Sequence, residues 1–282
     1  MTPARGTLYV VATPIGNLDD ITLRALRILK EADLIACEDT RQTRKLLDHY
    51  GIAKRTVSYH EHNEAERARA LVGELEHGVT VALVSDAGMP GISDPGYRVV
   101  SLAAERGIAV VPVPGAAAFV AALAASGLPT DSFRFGGFLP AKAGARRDAL
   151  AQIRESTNTE IFYEAPHRLL EALEDVVELL GNNRPVVVAR ELTKLHEEFL
   201  RGPAGKLLGE LRDRPIKGEC TLLIGKAEAG AAAEKQEPEI AARLRQVMAE
   251  RKLDEKSALK MVAKELGLSR SEAYRRLQRA RR

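Results

Sequence analysis

Short apolar runs alternate with amphipathic segments through the first 115 residues of the chain. Runs of this length without polar interruption are typical of strands buried on both faces, and they predict strands at 7–13, 34–37, 79–84 and 108–112. Apolar positions at helical spacing lie between them and predict helices at 40–50, at 63–77 and after an N-cap at Asp20. Strand–helix alternation predicts an α/β domain with a mainly parallel sheet in residues 1–115.

The pattern changes after Pro114-Gly115. Strand-like runs here sometimes follow one another without an intervening helix, which predicts a mixed sheet in a second α/β domain, residues 116–226. The predicted strands are 133–138, 160–163, 185–191, 197–201 and 220–224. The predicted helices are 116–126, 145–155, 167–180 and 204–212.

The end of the chain has a different composition. Residues 227–239 are rich in Ala and Glu and predict a linker. Residues 240–282 carry 13 Lys or Arg against 5 Asp or Glu. Gly267 at a turn and Ser269 as an N-cap, with Glu272 in capping-box position, predict a helix-turn-helix in a small all-α domain. This basic domain indicates a polyanionic partner, with a solvated helical surface as the alternative.

Composition narrows the class of protein. The chain has 282 residues, of which 45% are hydrophobic and 29% charged, as in soluble globular proteins. It contains no apolar stretch of eighteen residues and no apolar leader at its start, so we expect neither a membrane span nor a signal peptide. Cys37 and Cys220 lie far apart, which favours free thiols in a reducing cytoplasm over a zinc site.

The strongest turn signals lie just after predicted strands, at 13–17, 38–41, 85–96 and 114–117. Because the carboxyl ends of parallel strands share one edge of a sheet, these loops predict a ligand pocket there. The 85–96 loop holds three glycines and two prolines and matches no phosphate-binding motif. Its Asp86 and Asp94 favour a cation such as a sulfonium, although a structural wide turn remains the alternative.

Eight stretches in order along the chain carry a family resemblance. They are LYVVATPIGNLDDIT (8–22), IACEDTRQTRKLL (35–47), SYHEHNE (58–64), ALVSDAGMPGISDPG (82–96), VPVPGAAA (111–118), GFLPAK (137–142), YEAPHR (163–168) and ARELTKLHEEFLRG (189–202). With them the chain resembles the tetrapyrrole methylase family of class III methyltransferases, and within it the branch that acts on small-subunit ribosomal RNA. The resemblance covers nearly the whole chain through residue 224.

The resemblance implies two α/β domains with S-adenosylmethionine in the cleft between them. It implies methyl transfer to the ribose 2′-hydroxyl of a cytidine in the decoding region of 16S ribosomal RNA, within the small ribosomal subunit, by a cytoplasmic homodimer. Two alternatives stay open: methylation of a tetrapyrrole by the same fold, and a helix-turn-helix nucleic-acid-binding protein without enzymatic activity.

The resemblance also implies which residues contact the cofactor, largely through main-chain atoms. They are Pro14, Ser85, Asp86, Met89, Ala117, Ala118, Tyr163, Leu192 and Thr221. Many relatives have Ser or Thr after the Pro-Gly pair, whereas this chain has Ala116-Ala117-Ala118. We therefore expect backbone contacts, and no hydroxyl contact, from this segment.

The reaction requires alignment of the 2′-oxygen with the methyl carbon and removal of one proton. The charged residues near the predicted pocket that could remove the proton are Asp39, Glu191 and Lys194. Lys194 could instead orient the acceptor ribose or its phosphate. The sequence does not choose among the three.

Aromatic residues make up only 4% of the chain, so we expect basic side chains on phosphates to dominate RNA binding. Arg41 is one candidate, with a salt bridge at a helix start as its alternative. His60 and His62 could suggest a metal site, but we favour a substrate-facing loop and expect no metal. The predicted RNA-binding residues are Arg41, Lys142, Arg146, Arg147, Arg270, Arg275, Arg276 and Arg279.

Overall fold

The computed structural model describes residues 5–227, 243–249, 251, 254–265, 273, 274 and 277. They fall into two compact units, Met1–Lys226 and Ala227–Arg282. Within the described ranges, every helix is too short or too polar to cross a bilayer. The boundaries predicted at 115 and 239 stay predictions.

The first unit begins with a sheet of five strands, all parallel, in the order β3-β2-β4-β1-β5. The strands are β1 (Thr7–Val11), β2 (Leu34–Cys37), β3 (Thr56–Ser58), β4 (Val81–Val84) and β5 (Ala109–Val113). The helices among them are α1 (Leu23–Glu31), α2 (Thr40–His49), α3 (Glu64–Glu76) and α4 (Tyr97–Glu105). The parallel sheet predicted for this part of the chain is confirmed.

Helices cover both faces of this sheet. On one face α1 and α2 pack through Ile28, Leu29 and Leu47 against alternate strand residues. On the other face α3 and α4 pack through side chains such as Leu71 and Val99. Because both of their faces are buried, the inner strands β2 and β4 are continuous apolar runs rather than alternating patterns.

The second sheet has the order β6-β7-β10-β8-β9. Its strands are β6 (Phe133–Phe138), β7 (Thr159–Glu164), β8 (Pro185–Arg190), β9 (Glu198–Pro203) and β10 (Cys220–Ile224). β6 pairs with β7 in parallel and the other pairs are antiparallel, so the predicted mixed sheet is confirmed. The helices of this half are α5 (Ala118–Ser126), α6 (Ala143–Gln152), α7 (Leu169–Leu180) and α8 (Ala204–Arg212).

The two faces of the second sheet have different neighbours. One packs against α6, α7 and α8 in a core that includes Leu150, Leu173 and Leu207. The other carries Ile161 and Leu223 and packs against α5 and against Ile15 from the loop after β1. This second apolar cluster joins the two sheets and supports the candidate site.

One local prediction is wrong, and two elements of the structure were not predicted. Asp20 does not cap the first α-helix; it ends a 3-10 turn, Leu18–Asp20, and Thr22 Oγ1 caps α1 by accepting from Ala25 N at 3.0 Å. Strand β3 and helix α4 were not predicted at all.

The second unit is described only in part. Residues 243–249 and Glu255–Glu265 are helical, and they bury Leu244, Leu259 and Val262 against one another. Gly267 and Ser269, on which the predicted helix-turn-helix depends, lie outside the described residues.

Candidate active site

The loops after β1 and β4 are joined by a short antiparallel bridge. Thr13 N donates to Gly88 O at 2.9 Å and Gly88 N donates to Thr13 O at 3.0 Å. The buried Thr13 hydroxyl also donates to Ser85 O at 3.1 Å. Because each loop satisfies backbone polar groups of the other, the two loops are held together at the carboxyl edge of the first sheet.

The far end of the 85–96 loop is anchored by α3. Glu64 Oε1 accepts from Gly96 N at 3.1 Å, from Arg98 N at 3.4 Å and from the Tyr59 hydroxyl at 3.1 Å. Burial opposes the charge of Glu64, but these hydrogen bonds and the charge of Arg98 together outweigh it and lower the pKa of the carboxyl. Glu64 thus caps the start of α4 from another helix.

A cavity of about 360 Å³ lies where this edge meets the second sheet, and its size is typical of small-molecule sites. Most of its wall is apolar. The lining residues are Ile15, Ala87, Gly88, Met89, Ile92, Ser93, Asp94, Ala117, Ala118, Phe119, Phe138, Tyr163, Glu164, Ala165, Pro166, Leu192, Glu219, Cys220 and Thr221.

Six of the nine residues predicted to contact the cofactor line this cavity: Met89, Ala117, Ala118, Tyr163, Leu192 and Thr221. The other three do not line it, but they lie one or two positions before lining residues in the sequence. Pro14 precedes Ile15, and Ser85-Asp86 precede Ala87. The structure therefore brings distant predicted positions together, while their contact with a cofactor stays a prediction.

The start of α5 forms one wall. Its N-cap residue, Ala117, provides no side-chain acceptor for the first-turn N–H groups, and the backbone of Phe119 in that turn is hydrogen-bonded to the Tyr163 side chain. Aromatic rings form the adjoining wall, where Phe119 stacks on Phe135 with centroids 4.4 Å apart and Tyr163 contacts Phe135 and Phe138 edge-on.

Carboxylates gather at the cavity edge, and Asp94 is the one that lines it from the 85–96 loop. Burial, followed by the negative charge of Glu38 and then Asp86, raises the pKa of Asp94 to about 6, while the Ser85 hydroxyl partly offsets the shift. Burial also raises the pKa values of Glu38 and Asp86. Sequence reasoning noted Asp94 only as a negative charge and did not rank it as a catalytic candidate.

The three catalytic candidates chosen from the sequence lie outside the lining. Hydrogen bonds from Arg41 lower the pKa of Asp39 to about 2. Lys194 Nζ donates to Glu191 Oε1 at 2.8 Å and Glu219 Oε2 at 2.9 Å. Burial opposes the charge of Lys194, yet these bonds raise its pKa, and the bond from Lys194 lowers the pKa of Glu191. All three groups are therefore held in their charged forms around neutral pH.

The loop that contains Lys194 is strained. Glu191 has φ +52° and Thr193 has φ +64°, a conformation that non-glycine residues rarely adopt. Leu192, between them, lines the cavity. A Cβ placed on Gly16 would lie 2.5 Å from Lys194 Cγ, so the loop after β1 rests directly on this segment. Strain held in place by such contacts is common at functional sites.

Comparison with known proteins agrees with this arrangement. Residues 7–208 match the model of the family described as Tetrapyrrole (Corrin/Porphyrin) Methylases. The chain belongs to the tetrapyrrole methylase family.

Relatives in this family include proteins named ribosomal RNA small subunit methyltransferase I. The one from Halalkalibacterium halodurans is 57% identical over 78% of this chain and 76% of its own length. The one from Vibrio cholerae is 48% identical over 95% of this chain and 93% of its own length.

Solved structures share the class III methyltransferase fold at low sequence identity. Diphthine synthase has a TM-score of 0.62 and 16% identity, covering 78% of this chain and 90% of that one. The methyltransferase CobJ has a TM-score of 0.60 and 20% identity, and the match covers 79% of this chain and 95% of the CobJ chain. At these identities they establish the fold alone.

The predicted RNA-binding residues of this tetrapyrrole methylase have diverse surroundings. Arg146 is buried, with ion pairs to Asp175 at 2.7 Å and Glu171 at 3.1 Å, so its guanidinium does not reach solvent. Arg147 pairs with Asp175 and Glu178. Lys142 is exposed. The C-terminal candidates Arg270, Arg275, Arg276 and Arg279 lie outside the described residues.

Arg41 forms the helix-start salt bridge that was its alternative interpretation. Its guanidinium pairs with Asp39 at 2.8 Å, yet 88% of the side chain stays exposed. The ion pair therefore does not prevent contact with a phosphate.

The two histidines considered as metal ligands have ring centroids 6.0 Å apart. His60 Nε2 lies 3.2 Å from Asn63 Nδ2. Over the described residues, no three His, Cys, Asp or Glu side chains are grouped to hold a metal ion. Cys37 and Cys220 are buried free thiols, and burial raises the pKa of Cys220 to about 11.

Proposed function

We propose that this protein transfers a methyl group from S-adenosylmethionine to the ribose 2′-hydroxyl of a cytidine in the decoding region of 16S ribosomal RNA. The observation that carries the proposal is the cavity between the two sheets, lined by six of the residues that the family resemblance assigns to the cofactor. The names of relatives at 57% and 48% identity support ribosomal RNA as the acceptor.

The residues around the cavity fit this cofactor. S-adenosylmethionine supplies an electrophilic methyl group on a positively charged sulfur. Asp94 provides a negative charge in the cavity wall, and Ile15, Met89 and Leu192 provide apolar surface. The first-turn N–H groups of α5 other than that of Phe119, which Tyr163 engages, can donate to polar atoms of the ligand, as expected for backbone contacts from an Ala-rich segment. Ser85 and Asp86 hold the loops of this wall through hydrogen bonds with Thr13 and Asp39, and Pro14 stays a proposed backbone contact with the cofactor.

Asp94 is also the side chain best suited to accept the proton of the acceptor hydroxyl. A general base is most effective when its pKa lies near the working pH, and the pKa of Asp94 is about 6. Of the other acidic groups in the wall, Glu219 binds Lys194 and Glu164 binds Arg168. We propose positioning roles for Asp39, Glu191 and Lys194, since all are tied into ion pairs.

RNA binding in this proposal relies on exposed cations. Lys142 and Arg41 are retained, as is the basic C-terminal segment with Arg270, Arg275, Arg276 and Arg279. Arg146 is left out because it is buried, and Arg147 contributes only through its exposed part. The proposal includes a homodimer acting in the cytoplasm on the small ribosomal subunit, supported by the family resemblance and testable by analytical ultracentrifugation.

The decisive experiment uses small ribosomal subunits from cells lacking the protein, incubated with the purified protein and S-adenosylmethionine labelled at the methyl group. We expect label in 16S RNA, recovered after digestion as 2′-O-methylcytidine from one site. Label on a base would overturn the proposal, as would label on a precorrin-like substrate in a parallel incubation together with none in RNA. Calorimetry that detects no binding of S-adenosylmethionine would favour a non-enzymatic nucleic-acid-binding protein.

A further inference from the structure

The helices on the two faces of the first sheet differ in charge. Together α1 and α2 contain six Lys or Arg residues and two Asp or Glu residues. Helices α3 and α4 together contain three Lys or Arg residues and five Asp or Glu residues. The contrast falls within a part of the chain, residues 1–239, that is acidic overall. One side of the sheet is therefore positively charged and the other negatively charged.

The cations of the positive side all reach solvent: Arg24, Arg27, Lys30, Arg41, Arg44 and Lys45. Arg41 pairs with Asp39, and Lys45 donates to Gln42. Within the residues that the structure describes, Arg24, Arg27, Lys30 and Arg44 form no ion pair. In the second half of the same unit, by contrast, Arg146, Arg147 and several other arginines are neutralised by carboxylates.

This positive side lies beside the cavity. Helix α1 follows the loop that contributes Ile15 to the cavity wall, and α2 follows β2 at the same carboxyl edge. Asp39, the N-cap of α2, donates its backbone N–H to Asp86 Oδ1 at 3.1 Å, and Asp86 adjoins the lining residue Ala87. Leu23, at the start of α1, is 86% exposed and adds an apolar contact point to the same surface.

We propose that the surface formed by α1 and α2 is where the phosphate backbone of the RNA lies during the reaction, with Arg24, Arg27 and Arg44 as its principal contacts. This inference rests on the proposed function for the identity of the polyanion. Unpaired arginines bind phosphate groups bidentately, and each neutralised phosphate releases counterions. The carboxylates at the cavity edge repel phosphates, so the backbone follows the helices while one nucleoside reaches the cavity.

The test is equilibrium binding of the full-length chain to unmethylated small ribosomal subunits and to a 16S RNA transcript, measured over a series of salt concentrations. The variant carries Arg24→Glu and Arg44→Glu. The matched control carries Arg67→Glu and Arg69→Glu, which change the net charge equally at two exposed positions on α3, across the sheet. Thermal unfolding and the affinity for S-adenosylmethionine check that both variants keep their fold.

We expect the α1/α2 variant to lose at least tenfold in RNA affinity near 0.1 M salt. Its log–log salt slope should fall by roughly 1.5, corresponding to two lost phosphate contacts. The α3 control should change affinity by less than about twofold. Equal losses in both variants, no loss in the first, or no RNA binding by the unmodified protein would overturn the inference. RNA binding without methyl transfer would instead contradict the proposed function alone.

Discussion

Thr13 and Gly88 exchange two backbone hydrogen bonds, at 2.9 and 3.0 Å, although strands β2, β3 and β4 lie between them in the sequence. The exchange fixes the loop after β1 against the loop after β4, and both loops contribute to the cavity wall. Gly88 makes the exchange with φ +80°. The contact between these two loops therefore depends on the left-handed conformation of Gly88.

Gly88→Ala should loosen the cavity without filling it. An added Cβ would be 3.5 Å from Ile15 Cγ2, an ordinary contact, so the cost is the backbone strain of about 1–2 kcal/mol. We expect that loss in the free energy of unfolding, together with a several-fold rise in the Kd for S-adenosylmethionine, measured by calorimetry.

Gly51→Ala is the matched control for that variant. Gly51 has φ +61° and nothing within 4 Å of an added Cβ, and it lies after α2. It should lose similar stability with an unchanged Kd. If both variants lowered cofactor affinity equally, the Thr13–Gly88 bridge would have no specific role in binding.

Glu64→Ala should weaken the site from a distance. It removes the acceptor for Gly96 N, Arg98 N and the Tyr59 hydroxyl, at a cost of about 1–3 kcal/mol in stability. The loop that carries Asp94 would then lose its anchor, and cofactor affinity should fall several-fold. Glu64→Gln, which keeps an oxygen acceptor, should restore part of that affinity. Glu66→Ala, on the same helix turn but exposed, should leave the Kd unchanged.

The same contact explains why α4 was not predicted from sequence. Gly96, its N-cap, has no side chain to accept a hydrogen bond, so no local start signal exists. The acceptor is Glu64, 32 positions earlier, and only the folded chain brings the two together. Strand β3 has three partly buried residues at the sheet edge, too few for a periodic pattern. Strands β2 and β4 were predictable because every residue in them is buried, which makes them continuously apolar.

The candidate site was predictable where it depends on topology, and less so where it depends on side-chain partners. Loops at one sheet edge, together with the family resemblance, located Met89, Ala117 and Thr221 at the cavity. Arg146 was placed on an RNA-binding surface because a basic residue in a helix gives no sign of its partner. That partner, Asp175, lies 29 positions later on α7.

Arg146→Ala should therefore affect stability rather than RNA affinity. Removing the buried Arg146 leaves Asp175 with only the partly exposed Arg147 as an ion-pair partner, so we expect a loss of up to about 3–5 kcal/mol, the range for breaking a buried pair. Denaturant titration should detect this loss, while RNA affinity per folded molecule stays constant. Lys142→Ala should show the opposite pattern, with stability within about 0.5 kcal/mol of the original and weaker RNA binding. A selective loss of RNA affinity in Arg146→Ala would contradict the structural assignment.

Asp94→Asn should stabilise the protein at alkaline pH and impair its activity. The pKa of Asp94 rises from 3.8 to about 6 on folding, so its carboxylate is disfavoured in the folded state. The resulting loss in the free energy of unfolding is absent below about pH 4. It develops between about pH 4 and pH 6 and is complete above that range. Since the group is partly exposed, we expect the variant to gain roughly 1 kcal/mol at pH 8, or about 2–4 °C in Tm, and little at pH 4.

Activity should change in the opposite direction. In the unmodified protein, kcat for methyl transfer should increase with pH through about 6 as Asp94 ionises, and Asp94→Asn should lower kcat and abolish this step. Asp148→Asn, which removes an exposed carboxylate on α6, should leave both the step and the Tm unchanged. If the pH step survived in Asp94→Asn, another group would have to accept the proton. Asp94 would then contribute only its charge to the cavity wall.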